Sequence, residues 1–480
     1  MALTSNFGFV IKKTAYRAYA GKAVKPIIKG TANFISVLLF VLSFSVHASD
    51  RVLLKNARIF TMGESGTLQS GMILITDGKI EKIGPAIPVP SDTRVLDLSG
   101  KTVIPGLVSA SSSLYLQERD LRYSGEESPD TDVLEGINYF DPSLPQIQRY
   151  GVTTVYISPV SFRSIGGMGA VVKVGSGEKG NIRILKEKSA LNIRLERLQD
   201  NQTSNVLRLA QYHAIRDRFL QALEYGKKWT VYERKQKRYE EEKDEWEAKK
   251  EKGNPDELKQ KKPEKPKKDE SNEILIQAME KKFPVRFIVH RPDSILHALR
   301  LGKEFGLAVI LEGAENWPKL LPELEKASVS LLSNPLLDYR MLLIPGGARG
   351  YAAGFLPIGE SDPFYSDKAS PCGAKPDRAS WEKLAKSEIP FALVPSDRFP
   401  FSTGFLRFYA ALVSSLGISP EYALGAVTSS AARILGVDDR VGSLEEGKDA
   451  DLVVLEGNPL DSLAGIEMVL IDGKTVWVRK

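Results

Sequence analysis

At 480 residues, 42% of them hydrophobic, the chain has enough apolar surface to bury one large core and a smaller one, which excludes a disordered or fibrous protein. The formal net charge of +6 would suit a nucleic-acid partner, but the excess is confined to Lys12, Lys13, Arg17, Lys22, Lys25 and Lys29; without them Lys+Arg equals the 60 Asp+Glu, so nucleic acid is discarded as a partner. Cys372 is the single cysteine, which excludes an intramolecular disulfide and a thiolate metal cluster.

Residues 1–48 combine that basic region with an apolar run, Phe34 to Val46, too short to span a bilayer comfortably. Small residues follow at Val46 and Ala48, at the two positions a signal peptidase reads, so cleavage before Ser49 is expected, with an uncleaved anchor as the alternative. The mature protein is then exported to a bacterial periplasm or cell envelope and keeps no stable membrane span.

Residues 49–104 read as short strands, with Met72 to Ile75 and Lys79-Ile80 flanking the hairpin pair Asp77-Gly78. Residues 438–480 repeat this grammar, with strands at Asp451 to Leu455, Met468 to Ile471 and Thr475 to Val478 around Asp472-Gly473. Two β-rich ends of this kind predict one small β-sandwich domain assembled from both termini. The intervening residues 105–437 alternate apolar runs with helical patterns, which predicts parallel strands with crossover helices. Strands are expected at Val103 to Val108, Val152 to Ile157, Ala170 to Val174, Ile182 to Leu185, Val285 to Val289, Ala308 to Leu311, Val329 to Leu332 and Phe391 to Val394. About eight strands predict a TIM-like (β/α)8 barrel, with its chemistry at the C-terminal strand ends. A charged insertion, residues 227–270, opens as a long helix to about Lys252 with an aromatic stripe, Trp229, Tyr232, Tyr239 and Trp246, expected to rest on the barrel. The Lys/Pro-rich stretch Lys259 to Lys268 is expected to be flexible.

The run Val103-Ile104-Pro105-Gly106-Leu107-Val108, the segment Ala426 to Gly436 and the specific motif Gly442 to Leu452 resemble the amidohydrolase superfamily over nearly all of the mature chain. Gly166-Gly167-Met168-Gly169 and His290-Arg291-Pro292-Asp293 resemble its exported branch related to imidazolonepropionases. The resemblance implies a metal-dependent hydrolase in which strand-end ligands lower the pKa of a bound water to about 7.

In that family barrel strand 1 continues Asp-Ala-His-x-His. Here those positions read Ser109, Ala110, Ser111, Ser112 and Ser113, so the two imidazoles that open the metal site are replaced by neutral hydroxyls at Ser111 and Ser113. His290 after strand 5 and Asp397 after strand 8 match the family's ligand and proton-shuttling aspartate, and Glu312 after strand 6 is a candidate metal ligand. Each has an ordinary structural role as well: a hydrogen-bonded loop residue for His290, a turn cap for Asp397, and an ion pair with a basic residue at the barrel mouth for Glu312. Arg349, in the segment Ile344 to Tyr351 expected over the mouth, is a candidate for holding a substrate carboxylate. No Gly-x-Ser-x-Gly elbow supports a serine nucleophile.

The expected function is hydrolysis of a C–N bond in a small amide, cyclic amide or peptide, impaired by loss of the strand-1 ligands. The alternative is a non-catalytic relative binding a ligand or an envelope partner. A divalent ion, Zn²⁺ or the harder Mn²⁺ that an oxygen-rich set favours, is expected to be weakly bound or absent.

Overall fold

The structure is a computed structural model that describes residues 50–112, 114–116, 128–159, 164–175, 182–195, 205–251, 261–314, 316–335, 377–395, 400–461 and 463–479. The N-terminal segment, and with it the expected export signal, lies outside these residues. No helix among them is long and apolar enough to cross a membrane.

Five strands open the chain: Arg51–Phe60 (β1), Thr67–Thr76 (β2), Lys79–Gly84 (β3), Arg94–Asp97 (β4) and Lys101–Pro105 (β5). Eight follow in a second sheet: Leu107–Ser112 (β6), Val152–Ile157 (β7), Ile165–Lys173 (β8), Arg183–Arg194 (β9), Val285–Val289 (β10), Val309–Gly313 (β11), Ser330–Ser333 (β12) and Phe391–Leu393 (β13). Leu452–Glu456 (β14), Ile466–Ile471 (β15) and Lys474–Val478 (β16) close the chain.

Both termini contribute to one sheet in the order β16-β15-β14-β5-β1-β2-β3, with β4 beside β1. The joint is the antiparallel pairing of β14 with β5, Leu452 opposite Pro105 through Glu456 opposite Lys101. Alternation along these strands gives the sheet two apolar faces. Val103, Leu452, Val454 and Leu470 enter the sheet's own core with Leu54, Ile59 and Ile73, while Ile104, Val453, Leu455 and Val469 join the large core of the barrel. The two Asp-Gly turns form as expected: Asp77, Gly78, Asp472 and Gly473 all have positive φ, as a two-residue hairpin of this hand requires. They also pack on each other, since a Cβ on Gly78 would lie 2.8 Å from the Asp472 carbonyl oxygen.

The expected strand Val103 to Val108 is two strands. Gly106 separates β5 in the terminal sheet from β6 in the barrel, its N–H donating to the Asp451 carbonyl at 2.9 Å. Only glycine fits, because a Cβ would lie 2.1 Å from Thr153 Oγ1.

The barrel sheet runs β13-β12-β11-β10-β9-β8-β7-β6 and is nearly closed. The edges are joined by the segment after the helix Pro420–Gly425: Val108 N–H donates to the Val427 carbonyl and Leu393 N–H to the Ala426 carbonyl, both at 2.9 Å. Against expectation, β8 is antiparallel to both β7 and β9. The chain allows nothing else: nine residues separate Lys173 from Arg183, fewer than the dozen or so that a parallel crossover needs. The other neighbouring strands are parallel. Val108, Ala110, Tyr156, Val171, Ala190, Ile310, Leu332 and Ala392 fill the interior.

A clamp of opposite charges ties β8 to the terminal sheet. Lys173 is wholly buried, with Nζ 2.8 Å from Asp449, 2.9 Å from Asp451 and 2.5 Å from Asp472. Asp449 and Asp451 belong to the C-terminal motif, which thereby has a mechanical role.

Candidate functional site

The carboxyl ends of the parallel strands form one rim, and the described site residues lie on it. Ser111 is the penultimate residue of β6 and Glu312 the penultimate residue of β11. In β11 the inward positions alternate, Ile310 filling the interior and Glu312 standing one step nearer the rim. The structure brings these two residues together: the Ser111 hydroxyl donates to Glu312 Oε1 at 2.5 Å.

The other carboxylate oxygen is held by a residue that sequence reasoning passed over. Arg286, second in β10, is fully buried, and its Nε donates to Glu312 Oε2 at 2.5 Å. Its Nη2 donates to the Ala110 carbonyl at 2.6 Å, and Cζ sits 4.2 Å from the centre of the Tyr156 ring. One guanidinium therefore grips β11, β6 and β7 from β10. The sequence carried a signal for it: an arginine inside the apolar strand Val285-Arg286-Phe287-Ile288-Val289 needs a buried partner, because a lone charge there is too costly.

Tyr156 extends the polar layer. Its hydroxyl donates to Asn192 Oδ1 at 2.9 Å, Ser158 Oγ donates to the same atom at 3.1 Å, and Asn192 Nδ2 donates to the Gly167 carbonyl at 3.0 Å. Burial pushes the Tyr156 phenol up to about 12, the nearby Arg286 charge opposing, so it remains a protonated donor near neutrality. The Gly166 to Gly169 motif makes room for it: a Cβ on Gly169 would lie 2.1 Å from the Tyr156 oxygen, and Gly167 has φ +95° with Thr131 pressed against it.

His290 follows β10 directly and is half-buried. Its carbonyl accepts from Asn316 Nδ2 at 3.0 Å. Gly313, with φ +87°, leaves space for the ring, because a Cβ there would lie 2.8 Å from His290 Nδ1. Ser109, at the family's aspartate position, is buried and donates to the Ser111 carbonyl at 2.6 Å. Ser113, Asp397 and Arg349, with the whole segment Ile344 to Tyr351, lie outside the described residues. His297, in the helix Pro292–Phe305, packs at 4.8 Å on the Tyr212 ring.

Among the described residues no group of three or more His, Cys, Asp or Glu side chains converges. The donor chemistry at Glu312 also does not fit a divalent metal. Ser111 is a neutral donor committed to the carboxylate, and the guanidinium bonded to its other oxygen repels a cation.

Comparison with known proteins gives the following. A family model described as amidohydrolase family matches residues 399–476. The 5'-deoxyadenosine deaminase of Methanosarcina mazei is 41% identical over 59 residues, 12% of this chain. The imidazolonepropionase of Erwinia tasmaniensis is 40% identical over 75 residues, 15% of this chain. The matches span only 13% of that deaminase and 18% of that imidazolonepropionase. An amidohydrolase from Thermotoga maritima is similar over 89% of this chain and 100% of its own, with 27% identity and a TM-score of 0.69. A prolidase complexed with N-methylphosphonate-L-proline shares the fold over 89% of this chain and 100% of its own, at 17% identity and a TM-score of 0.50.

Proposed function

Because this chain is a member of the amidohydrolase superfamily, we propose that its barrel mouth receives a small amide, cyclic amide or peptide and that hydrolysis of the C–N bond there is impaired. The observation that carries this reading is the state of Glu312, whose two oxygens are taken by Ser111 and Arg286. Hydrolysis of this class needs an activated water, which a metal supplies by lowering its pKa to about 7. Serine hydroxyls at positions 111 and 113 are poor substitutes for two imidazoles. The relatives support hydrolysis at a C–N bond, since a deaminase and an imidazolonepropionase are among them.

A second reading keeps hydrolysis in a remodelled centre of His290, Asp397 and Glu312 around Mn²⁺. The presence of His290 at the carboxyl end of β10, with Gly313 clearing room for its ring, favours it. One experiment separates the two. The purified chain, supplied with MnCl₂ or ZnCl₂, is incubated with a panel of dipeptides and cyclic amides, and products are followed by mass spectrometry. Impairment predicts ligands that raise the melting temperature without being cleaved. Multiple turnovers that disappear in His290→Ala would establish the second reading instead. We further propose that the mature protein resides in the cell envelope, which the intact mass of the exported chain tests: retention of Lys12 to Lys29 would refute cleavage at Ser49.

A further inference from the structure

We infer that Arg286 is a resident counter-cation: its guanidinium, not a divalent metal, is the charge partner of Glu312 at the barrel mouth, and it keeps divalent ions off that carboxylate. The inference rests on the reading that the metal site is impaired, and it names the group responsible. Three features carry it.

The first is that the group cannot itself take a metal. A guanidinium is a planar, delocalised cation with five N–H donors and no acceptor, so it has no lone pair to offer a metal. The second is that the side chain cannot swing away. It is fully buried, and it is held at once by Glu312 on β11, by the Ala110 carbonyl on β6 and by the Tyr156 ring on β7. The ring face attracts a cation, and the phenol beneath it is fixed by Asn192. The third is that the carboxylate is engaged on both oxygens, the Ser111 hydroxyl filling the side that Arg286 leaves open. A metal at Glu312 would displace Ser111 and sit against a fixed positive charge, and among the described residues no group of three or more His, Cys, Asp or Glu side chains gathers to offset it.

The test is a calorimetric titration of the full chain, stripped with chelator, using MnCl₂ or ZnCl₂ alone. Wild type, Glu312→Gln, Arg286→Met and the Arg286→Met/Glu312→Gln double variant are compared, with circular dichroism confirming that each is folded. Wild type and Glu312→Gln should bind either metal with the same affinity, because Glu312 takes no part. Arg286→Met should bind Mn²⁺ about tenfold tighter or more, the scale on which groups around a metal act, and the double variant should lose that gain. Weakening of wild-type metal binding by Glu312→Gln overturns the inference, and so does a folded Arg286→Met that gains nothing. If Arg286→Met does not fold, Arg286→Gln, neutral but still able to hydrogen-bond, takes its place: a gain in Mn²⁺ affinity supports the inference, and an unchanged affinity in a folded Arg286→Gln overturns it. Failure of the underlying reading looks different. Amide turnover by wild type with unchanged metal binding in Glu312→Gln would remove impairment and leave the counter-cation standing.

Discussion

At the level of single residues, Arg286 and Glu312 carry a cost that their mutual attraction has to offset. Each is buried, and removing one partner strands the other's charge in a poorly solvated interior. Arg286→Met should therefore destabilise the fold by about 3–5 kcal/mol in urea unfolding, whereas Arg286→Met/Glu312→Leu should recover most of the loss because no orphaned charge remains. A double variant as unstable as the single one would mean that the guanidinium acts through packing alone. The same electrostatics sets the scale of metal exclusion: at an effective dielectric near 20, a divalent ion about 4 Å from a guanidinium is repelled by on the order of 8 kcal/mol. Neutral Ser111 offers nothing to compensate. An ion pair at Glu312 was legible in the sequence as the ordinary alternative to metal binding, but its partner was not, because Arg286 lies 26 positions away and only strand pairing aligns β10 with β11.

Among the elements, the helix Asn205–Glu251 differs most from its expected form. It begins 22 residues before Lys227 and, at 1.5 Å per residue, extends about 70 Å. Its first turns are anchored by buried Ile215, Phe219 and Ala222, with Phe219 stacked 4.9 Å from Phe305. Beyond them Tyr225 and Trp229, the first residue of the aromatic stripe, meet the chain's own return segment, residues 261–269. Tyr225 donates to Glu273 at 3.2 Å and accepts from the Asp269 N–H, and Lys265 lies 5.9 Å from the Trp229 ring centre. Pro263 and Pro266 are half-buried there, so the described part of the Lys/Pro-rich stretch is a strap and not a free linker. Trp229→Ala should loosen this strap: limited trypsin digestion should cut after Lys261, Lys267 and Lys268, the lysines there not followed by proline, severalfold faster while the melting temperature of the barrel stays put. Unchanged cleavage would show that Trp229 does not hold the strap.

For the whole molecule, the buried charges around Lys173 join barrel to terminal sheet and make stability depend on pH. Burial by itself would raise the Asp449 carboxyl, but the bond and charge of Lys173, with Lys79 and Arg440, outweigh it and bring the group to about 2 from an ordinary 3.8. A carboxyl depressed by folding stabilises above its unfolded value and loses that contribution as pH falls toward the folded one, here about 2 kcal/mol between about pH 4 and pH 2. Asp451 acts in the opposite sense: burial, exceeding the pull of Lys173, raises it to about 6, so its contribution is present below about pH 4 and is lost as pH rises through 6. Asp449→Asn should be about 2 kcal/mol less stable than wild type at pH 7, and the gap should close as pH falls from about 4 to 2 in urea unfolding. A gap that stays constant through this range would show that Asp449 does not hold the clamp electrostatically.

The sequence by itself determined the local grammar. The Asp-Gly hairpins, the apolar runs of the barrel and the β-rich ends of one shared domain were legible because each rests on contacts within a few residues or on a period repeated along the chain. The serines at 111 and 113 were legible through a motif whose spacing survives when its chemistry does not. Tertiary structure alone decided the rest. It split Val103 to Val108 between two sheets at Gly106, because Thr153 lies against that glycine. It turned β8 around, closed the barrel edges with Ala426 and Val427, and set Arg286 against Glu312. Each of these depends on which distant segments become neighbours, and one residue's inward or outward parity on a strand has no counterpart in composition or period until its partner strand is in place.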